Sequence, residues 1–190
     1  MIISLSGAMG SGKSTIAQRL ADKLNWPRYY MGGIRREAAK KRGLTLEEYN
    51  KLGETDPTTD YEVDEVYQKE LARREANFII EGRTAWHFLP QSLKIYLDVD
   101  LEVGAKRIFG NLQQKNDRNE AKNLATWQAV KASNEKRIKS DRARYQKYYQ
   151  IDVYDRKNYD FYLDTTNLDQ NQVFQAVYEW VKASLDKRKN

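Results

Sequence analysis

The apolar positions fall into short runs separated by longer stretches of helical period. Ile2-Ile3-Ser4-Leu5-Ser6, Asn77-Phe78-Ile79-Ile80-Glu81, Leu93-Lys94-Ile95-Tyr96-Leu97-Asp98 and Tyr159-Asp160-Phe161-Tyr162-Leu163-Asp164 have strand length, and Arg28-Tyr29-Tyr30 is a shorter candidate. Between them the period changes. Ile16, Ala17, Leu20, Ala21 and Leu24 share one helical face. Thr45 and Glu48 have capping-box spacing, which starts a helix at Leu46. Residues 60–76 place Tyr61, Val63, Val66, Tyr67 and Leu71 at apolar positions, and 124–149 reads as a basic helix. Val173, Val177, Trp180, Val181 and Leu185 line one side of 173–185. Strands alternating with helices predict an α/β fold, an open parallel sheet of about five strands with helices on both faces. Two polar helical segments, 32–76 and 108–146, read as insertions. No repeat, low-complexity tract or flexible linker divides the chain, so 1–190 is expected to form one domain.

The loop after the first run carries the chemistry. Gly7-Ala8-Met9-Gly10-Ser11-Gly12-Lys13-Ser14 fits G-x-x-x-x-G-K-[ST] at every specified position, between a predicted strand and a predicted helix. Glycines let consecutive backbone N–H groups turn toward one anion, and the helix start adds unpaired donors and the positive end of its dipole. The stretch from Gly7 to Thr15 is therefore expected to hold the phosphates of a nucleoside triphosphate, ATP in the first instance. Lys13 would reach the β- and γ-phosphates and the Ser14 hydroxyl would ligate Mg²⁺.

Composition narrows the partners. The chain has 33 Lys and Arg against 27 Asp and Glu, a net charge of +6, which suits a polyanionic ligand. Charge alone does not choose between nucleotides and a nucleic acid. There is no cysteine, so a disulfide framework, a zinc–thiolate site and a cysteine nucleophile are excluded. A strand beginning at residue 2 leaves no room for a targeting segment, and no apolar run has membrane-spanning length. The expectation is a cytoplasmic protein with no membrane partner.

Phosphoryl transfer needs a second anionic site facing the loop, and arginine's planar fork suits it. Arg35-Arg36 follows Gly32-Gly33 at a predicted helix start, and Arg83 lies two residues beyond the strand that ends at Glu81. That is the carboxyl edge where open α/β sheets bind ligands. Solvated helix-face arginines are the competing reading for Arg35 and Arg36. Glu81 is placed to hold a Mg²⁺-bound water, or equally to accept from nearby backbone donors.

With these residues in view, the chain resembles the cytidylate kinases of the compact, archaeal-type branch of nucleoside-monophosphate kinases. The likeness covers nearly the whole chain. It is carried by Tyr30-Met31-Gly32-Gly33-Ile34-Arg35-Arg36-Glu37-Ala38, Leu44-Thr45-Leu46-Glu47-Glu48-Tyr49-Asn50 and Asp56-Pro57-Thr58-Thr59-Asp60-Tyr61-Glu62-Val63-Asp64, together with Glu81-Gly82-Arg83 and Arg137-Ile138-Lys139-Ser140-Asp141-Arg142-Ala143-Arg144-Tyr145. The resemblance implies a P-loop kinase fold in which 32–76 binds the monophosphate and 108–146 forms a lid. It implies that Tyr30, Gly32, Arg36, Gly82 and Arg83 meet the acceptor, that Asp160 approaches the pyrimidine nucleoside, and that Arg107 lies against the ATP base. Arg137 and Arg144, two helical turns apart, would project together onto the transferring phosphoryl group. An ordinary strand-edge aspartate is the alternative for Asp160, and a solvated basic helix is the alternative for the arginines.

Three positions depart from the family's pattern. Tyr30 stands where the family has a small hydroxyl residue, Thr84-Ala85-Trp86-His87 replaces a stretch with more glycine, and 110–136 follows no family pattern. The expected activity is ATP- and Mg²⁺-dependent phosphorylation of CMP or dCMP by a monomer whose partners are nucleotides. A kinase for UMP, AMP or a non-nucleotide is the nearest rival. A non-catalytic nucleotide- and nucleic-acid-binding protein is the more distant one, because arginines at both substrate sites make little sense for binding alone.

Overall fold

A computed structural model describes residues 1–113 and 124–189. The sheet contains β1 (Ile2–Gly7), β2 (Arg28–Tyr30), β3 (Phe78–Glu81), β4 (Leu93–Asp98) and β5 (Phe161–Asp164), in the order β2-β3-β1-β4-β5. All four pairings are parallel; Leu5 pairs with Glu81 on one side and with Ile95 on the other. β1 sits at the centre because both of its faces can be buried. Ile3 and Leu5 point to one layer with Ile79, Ile95 and Leu97, while Ile2 points to the opposite layer with Phe78 and Ile80.

The first layer is closed by α1 (Lys13–Leu24), through Ile16, Ala17 and Leu20, and by the last helix, whose Val173, Val177 and Val181 complete the core. The second layer is built from the segment between β2 and β3. It holds α2 (Met31–Lys41), α3 (Leu46–Gly53), α4 (Thr58–Asp60), a π-helical stretch Tyr61–Val66 and α5 (Tyr67–Arg74). Thr45 caps α3 as its spacing predicts, accepting from the Glu48 amide while the Glu48 carboxylate returns to the Thr45 amide. The predicted helix over 60–76 is present, but its first half is wound as π rather than α. Such widened turns cluster at functional positions, and this one carries the buried Asp64.

After β3 come α6 (Ala85–Phe88), β4 and α7 (Leu101–Leu112), followed by α8 (Trp127–Tyr149), β5 and α9 (Gln170–Lys189). A third apolar cluster joins Met9 of the glycine loop to Ala105 and Ile108 of α7 and Val130 of α8. This cluster seats the first half of α8 over the loop. The divergent segment noted in the sequence lies partly outside the described residues, at 114–123. Among the described residues no helix is long and apolar enough to cross a membrane.

Candidate active site

β1, β2 and β3 end side by side, and the residues that follow them converge. The turn from β1 to α1 depends on two glycines that face each other. Gly10 has φ +83°, and a Cβ there would lie 2.3 Å from the carbonyl oxygen of Gly104 on α7. A Cβ on Gly104 would in turn lie 2.4 Å from the Met9 carbonyl oxygen. Only with both side chains missing can the loop rest on α7 at this distance.

Within the loop, Lys13 Nζ donates to the Ala8 carbonyl at 2.5 Å and reaches Ser11 Oγ at 3.4 Å. Ser14 Oγ donates to Glu81 Oε1 at 2.6 Å. The other Glu81 oxygen accepts from Arg28 at 2.8 Å. A hydroxyl and a carboxylate thus meet at the start of α1, both hard oxygen donors of the kind Mg²⁺ takes. Among the described residues no group of three or more His, Cys, Asp or Glu forms a self-sufficient metal cage. Mg²⁺ in phosphoryl-transfer sites characteristically uses one or two protein oxygens and completes its shell with phosphates and water. Ser14 and Glu81 fit that arrangement.

A cavity of about 610 Å³ opens between the loop and the 32–76 segment. Residues Met9 through Thr15 line one part of it, and Gly7 and Ala8 do not line it. Tyr30, Gly32, Arg35, Arg36, Gly82, Arg83, Arg107 and Arg137 line other parts of it. Arg36 Nη1 donates to the Tyr30 hydroxyl at 2.5 Å and to the Gly32 carbonyl at 3.0 Å. The Tyr30 ring occupies the space above Gly32 and Gly33, where Cβ atoms would come within 2.7 and 2.9 Å of it. The bulky residue at position 30 is therefore accommodated by the two glycines that follow it.

A buried ionic network adjoins the cavity. Arg83 Nε is 2.9 Å from Asp141 Oδ2 on α8, and the Tyr154 hydroxyl donates to the same oxygen at 2.9 Å. Asp60 accepts from Arg35 at 2.7 Å and from Arg144, and Arg144 also pairs with Asp141 at 2.6 Å. Asp64 completes the group, 3.6 Å from Arg35 and 3.3 Å from the Tyr145 hydroxyl. Burial works against charge on Asp141, but Arg83, Arg144 and Arg137 outweigh it and hold the carboxyl at about 2. Asp64 goes the other way: burial, with Asp60 beside it, outweighs Arg35 and lifts it to about 6. Burial likewise opposes the charge on Arg83, yet Asp141 keeps its guanidinium protonated beyond the ordinary arginine range.

Two sequence expectations need correction. Arg144 does not project into the cavity beside Arg137. It is 1% exposed, and Asp60 and Asp141 intercept its guanidinium. Seven residues of helix do put the two arginines on one side of α8, but Arg144 falls two turns farther along, between Asp141 of its own helix and Asp60 of another segment. Asp160 is not at the site. It precedes β5 and accepts from the Lys94 amide at 2.9 Å near the start of β4, at the amino edge of a sheet whose ligand-facing edge is the carboxyl one. Arg107 does line the cavity, although its guanidinium also donates to the Thr165 and Thr166 carbonyls at 2.9 and 3.2 Å, tying α7 to the loop before α9.

Asp60, Asp141, Tyr154 and Arg28 have no role assigned from the sequence. Asp141 had a signal: it sits between Arg137 and Arg144, one turn from each, and a lone carboxylate among helix arginines suggests a partner. Arg28 meets Glu81 across 53 residues, Tyr154 meets Arg83 across 71 and Asp60 meets Arg144 across 84, and no local pattern marks them.

With the geometry in place, comparison with known proteins gives a consistent picture. A family profile described as the cytidylate kinase-like family matches residues 2–167. A cytidylate kinase of Methanocella arvoryzae is 36% identical over 187 residues, covering 96% of this chain and 100% of the relative. An S-adenosylmethionine-dependent nucleotide dehydratase of Lacinutrix mariniflava is 32% identical over 183 residues, covering 96% of this chain but only 36% of that longer protein. Among solved structures, a shikimate kinase from Bacteroides thetaiotaomicron superposes with a TM-score of 0.62 at 17% identity, over 98% of each chain. That likeness shows the P-loop kinase fold.

Proposed function

This chain belongs to the cytidylate kinase-like family, and on that premise we propose that it transfers the terminal phosphoryl group of ATP to CMP or dCMP. It is a nucleoside-monophosphate kinase by family; the pyrimidine acceptor, ATP and Mg²⁺ belong to the proposal. One observation carries it. The nucleotide loop with Lys13 and the Ser14–Glu81 pair faces Arg36, Arg83 and Arg137 across a single cavity. One wall suits a triphosphate and the other a second phosphate.

Phosphoryl transfer of this kind asks the protein for positioning and for positive charge, because the reacting group passes through a loose transition state with charge spread over its oxygens. Lys13 would leave the Ala8 carbonyl for the β- and γ-phosphates. Arg83 and Arg36 would hold the monophosphate in line, with Arg83 exchanging Asp141 for a phosphate oxygen. Arg137 would meet the charge that develops between the two nucleotides. Ser14 and Glu81 would hold Mg²⁺, which when bound would supply positive charge against the phosphates. Segments 32–76 and 108–146 act in this reading as acceptor-binding and lid regions of one domain, in a cytoplasmic monomer.

The test is ADP release from Mg-ATP in parallel reactions with CMP, dCMP, UMP, AMP, GMP and no acceptor. Stimulation by CMP or dCMP well above every other tube supports the reading. Stimulation by AMP alone, or by none of them, overturns the acceptor assignment.

A further inference from the structure

We propose that Asn134 of α8 is a phosphate-contacting residue, its side-chain amide donating to an oxygen of the terminal phosphoryl group in the loop. The proposal rests on the kinase reading for its catalytic consequence, and on the cavity alone for its binding consequence.

The placement follows from helix geometry. Positions 130, 134, 137, 141 and 145 are spaced by four, three, four and four, so they form one stripe along α8. At its first end Val130 packs on Met9 of the glycine loop and Ile108 of α7. At its far end Asp141 is held by Arg83, at the acceptor side of the cavity. The stretch between is about 16 Å long at the helical rise, and Asn134 stands one turn in from the loop end. It therefore faces the region between the loop and Arg83, where a phosphoryl group would pass.

The side chain itself points the same way. Asn134 lines the main cavity and is 7% exposed. Its Nδ2 is buried without a hydrogen-bond partner among the described residues. A buried amide donor left unmade works against folding, and such a group calls for a reason. The one carboxylate on the stripe, Asp141, lies two turns away and is taken by Arg83 and Arg144; what the cavity is shaped to hold beside Lys13 and Arg137 is an anion. A neutral donor there adds a directed hydrogen bond without the charge repulsion a further arginine would bring to the cationic wall. The ligand atom is a phosphate oxygen rather than a ribose or base, because the loop residue the stripe rests on, Met9, belongs to the phosphate-binding turn.

Asn134→Ala and Asn134→Asp separate this role from a structural one. Three quantities are read on the full chain: melting temperature without ligand, affinity for Mg²⁺–tripolyphosphate, and kcat and KM with CMP. Asn134→Ala is expected to melt at or above the wild-type temperature, since it removes an unmade buried donor. It should lower kcat by about 10²-fold, the usual cost of losing one preorganised donor to a developing anion, with KM for CMP little changed. Asn134→Asp replaces a donor with a negative acceptor and should weaken tripolyphosphate by about tenfold or more. Wild-type tripolyphosphate affinity in Asn134→Asp would overturn the proposal. So would wild-type kcat in Asn134→Ala, or an activity loss matched by a falling melting temperature. If the wild type turned over no monophosphate, the kinase reading would fail while the tripolyphosphate arm still decided Asn134.

Discussion

Arg83 and Asp141 lie 2.9 Å apart, joining the end of β3 to the middle of α8. The same carboxylate holds Arg144 at 2.6 Å and accepts from Tyr154, so one aspartate organises two buried guanidinium groups. Removing it leaves Arg83 without its carboxylate partner and Arg144 with Asp60 alone. Asp141→Ala is expected to cost about 3–5 kcal/mol of stability, measured by urea unfolding at pH 7. With its carboxyl held at about 2, Asp141 contributes fully above the ordinary aspartate value. That contribution is lost as pH falls from about 4 toward 2, and Asp141→Ala should flatten the acid limb.

Asp64 has the opposite dependence. Its folded carboxyl titrates near 6, above the ordinary aspartate value, because burial disfavours its charge. A raised carboxyl contributes most when protonated, below about 4, and that contribution fades as pH rises through about 6. Asp64→Asn keeps the neutral form at every pH. Its melting temperature relative to wild type should therefore rise between pH 4 and pH 7.5, and a constant difference across that range would contradict the assignment.

The Gly10–Gly104 approach makes a prediction outside the motif. A Cβ at Gly104 would sit 2.4 Å from the Met9 carbonyl, a backbone atom with nowhere to go. Gly104→Ala should destabilise the fold by about 1–3 kcal/mol, as overpacking does, and weaken Mg-ATP binding because the loop is displaced. Calorimetry with Mg-ATP checks the second effect, and undiminished affinity would show that the loop tolerates the shift.

How far the sequence could carry the reader depends on the range of each interaction. Ile2 to Ser6 and Phe78 to Ile80 read as strands because burial on both faces leaves continuous apolar runs. Thr45 and Glu48 announce their helix because a capping box spans three residues. The glycine loop is equally local. The Asp60–Arg144–Asp141 network is not: Asp60 lies 84 residues from Arg144, and in sequence the charges of α8 look like a solvated face. Asp160 is a different case. The residue before a parallel strand belongs at the amino edge, so strand direction places it away from the site, whereas the family likeness pointed toward it. Nothing in 61–66 distinguishes a π-helical turn from an α-helical one, since both bury Val63.

Lys13 lies folded against the Ala8 carbonyl at 2.5 Å, a contact a phosphate would replace. Lys13→Ala should lower kcat by about 10²–10³-fold with little change in melting temperature. Near-normal turnover in a folded variant would remove the loop from the chemistry.

The most direct measurement follows the phosphoryl group itself. ATP labelled in its γ-phosphate is incubated with Mg²⁺, CMP and the enzyme, and the products are separated by chromatography. The cavity that places Lys13 opposite Arg83 predicts label in CDP, in one-to-one proportion with the ADP formed. Label appearing only as inorganic phosphate, or remaining in ATP, would contradict the transfer.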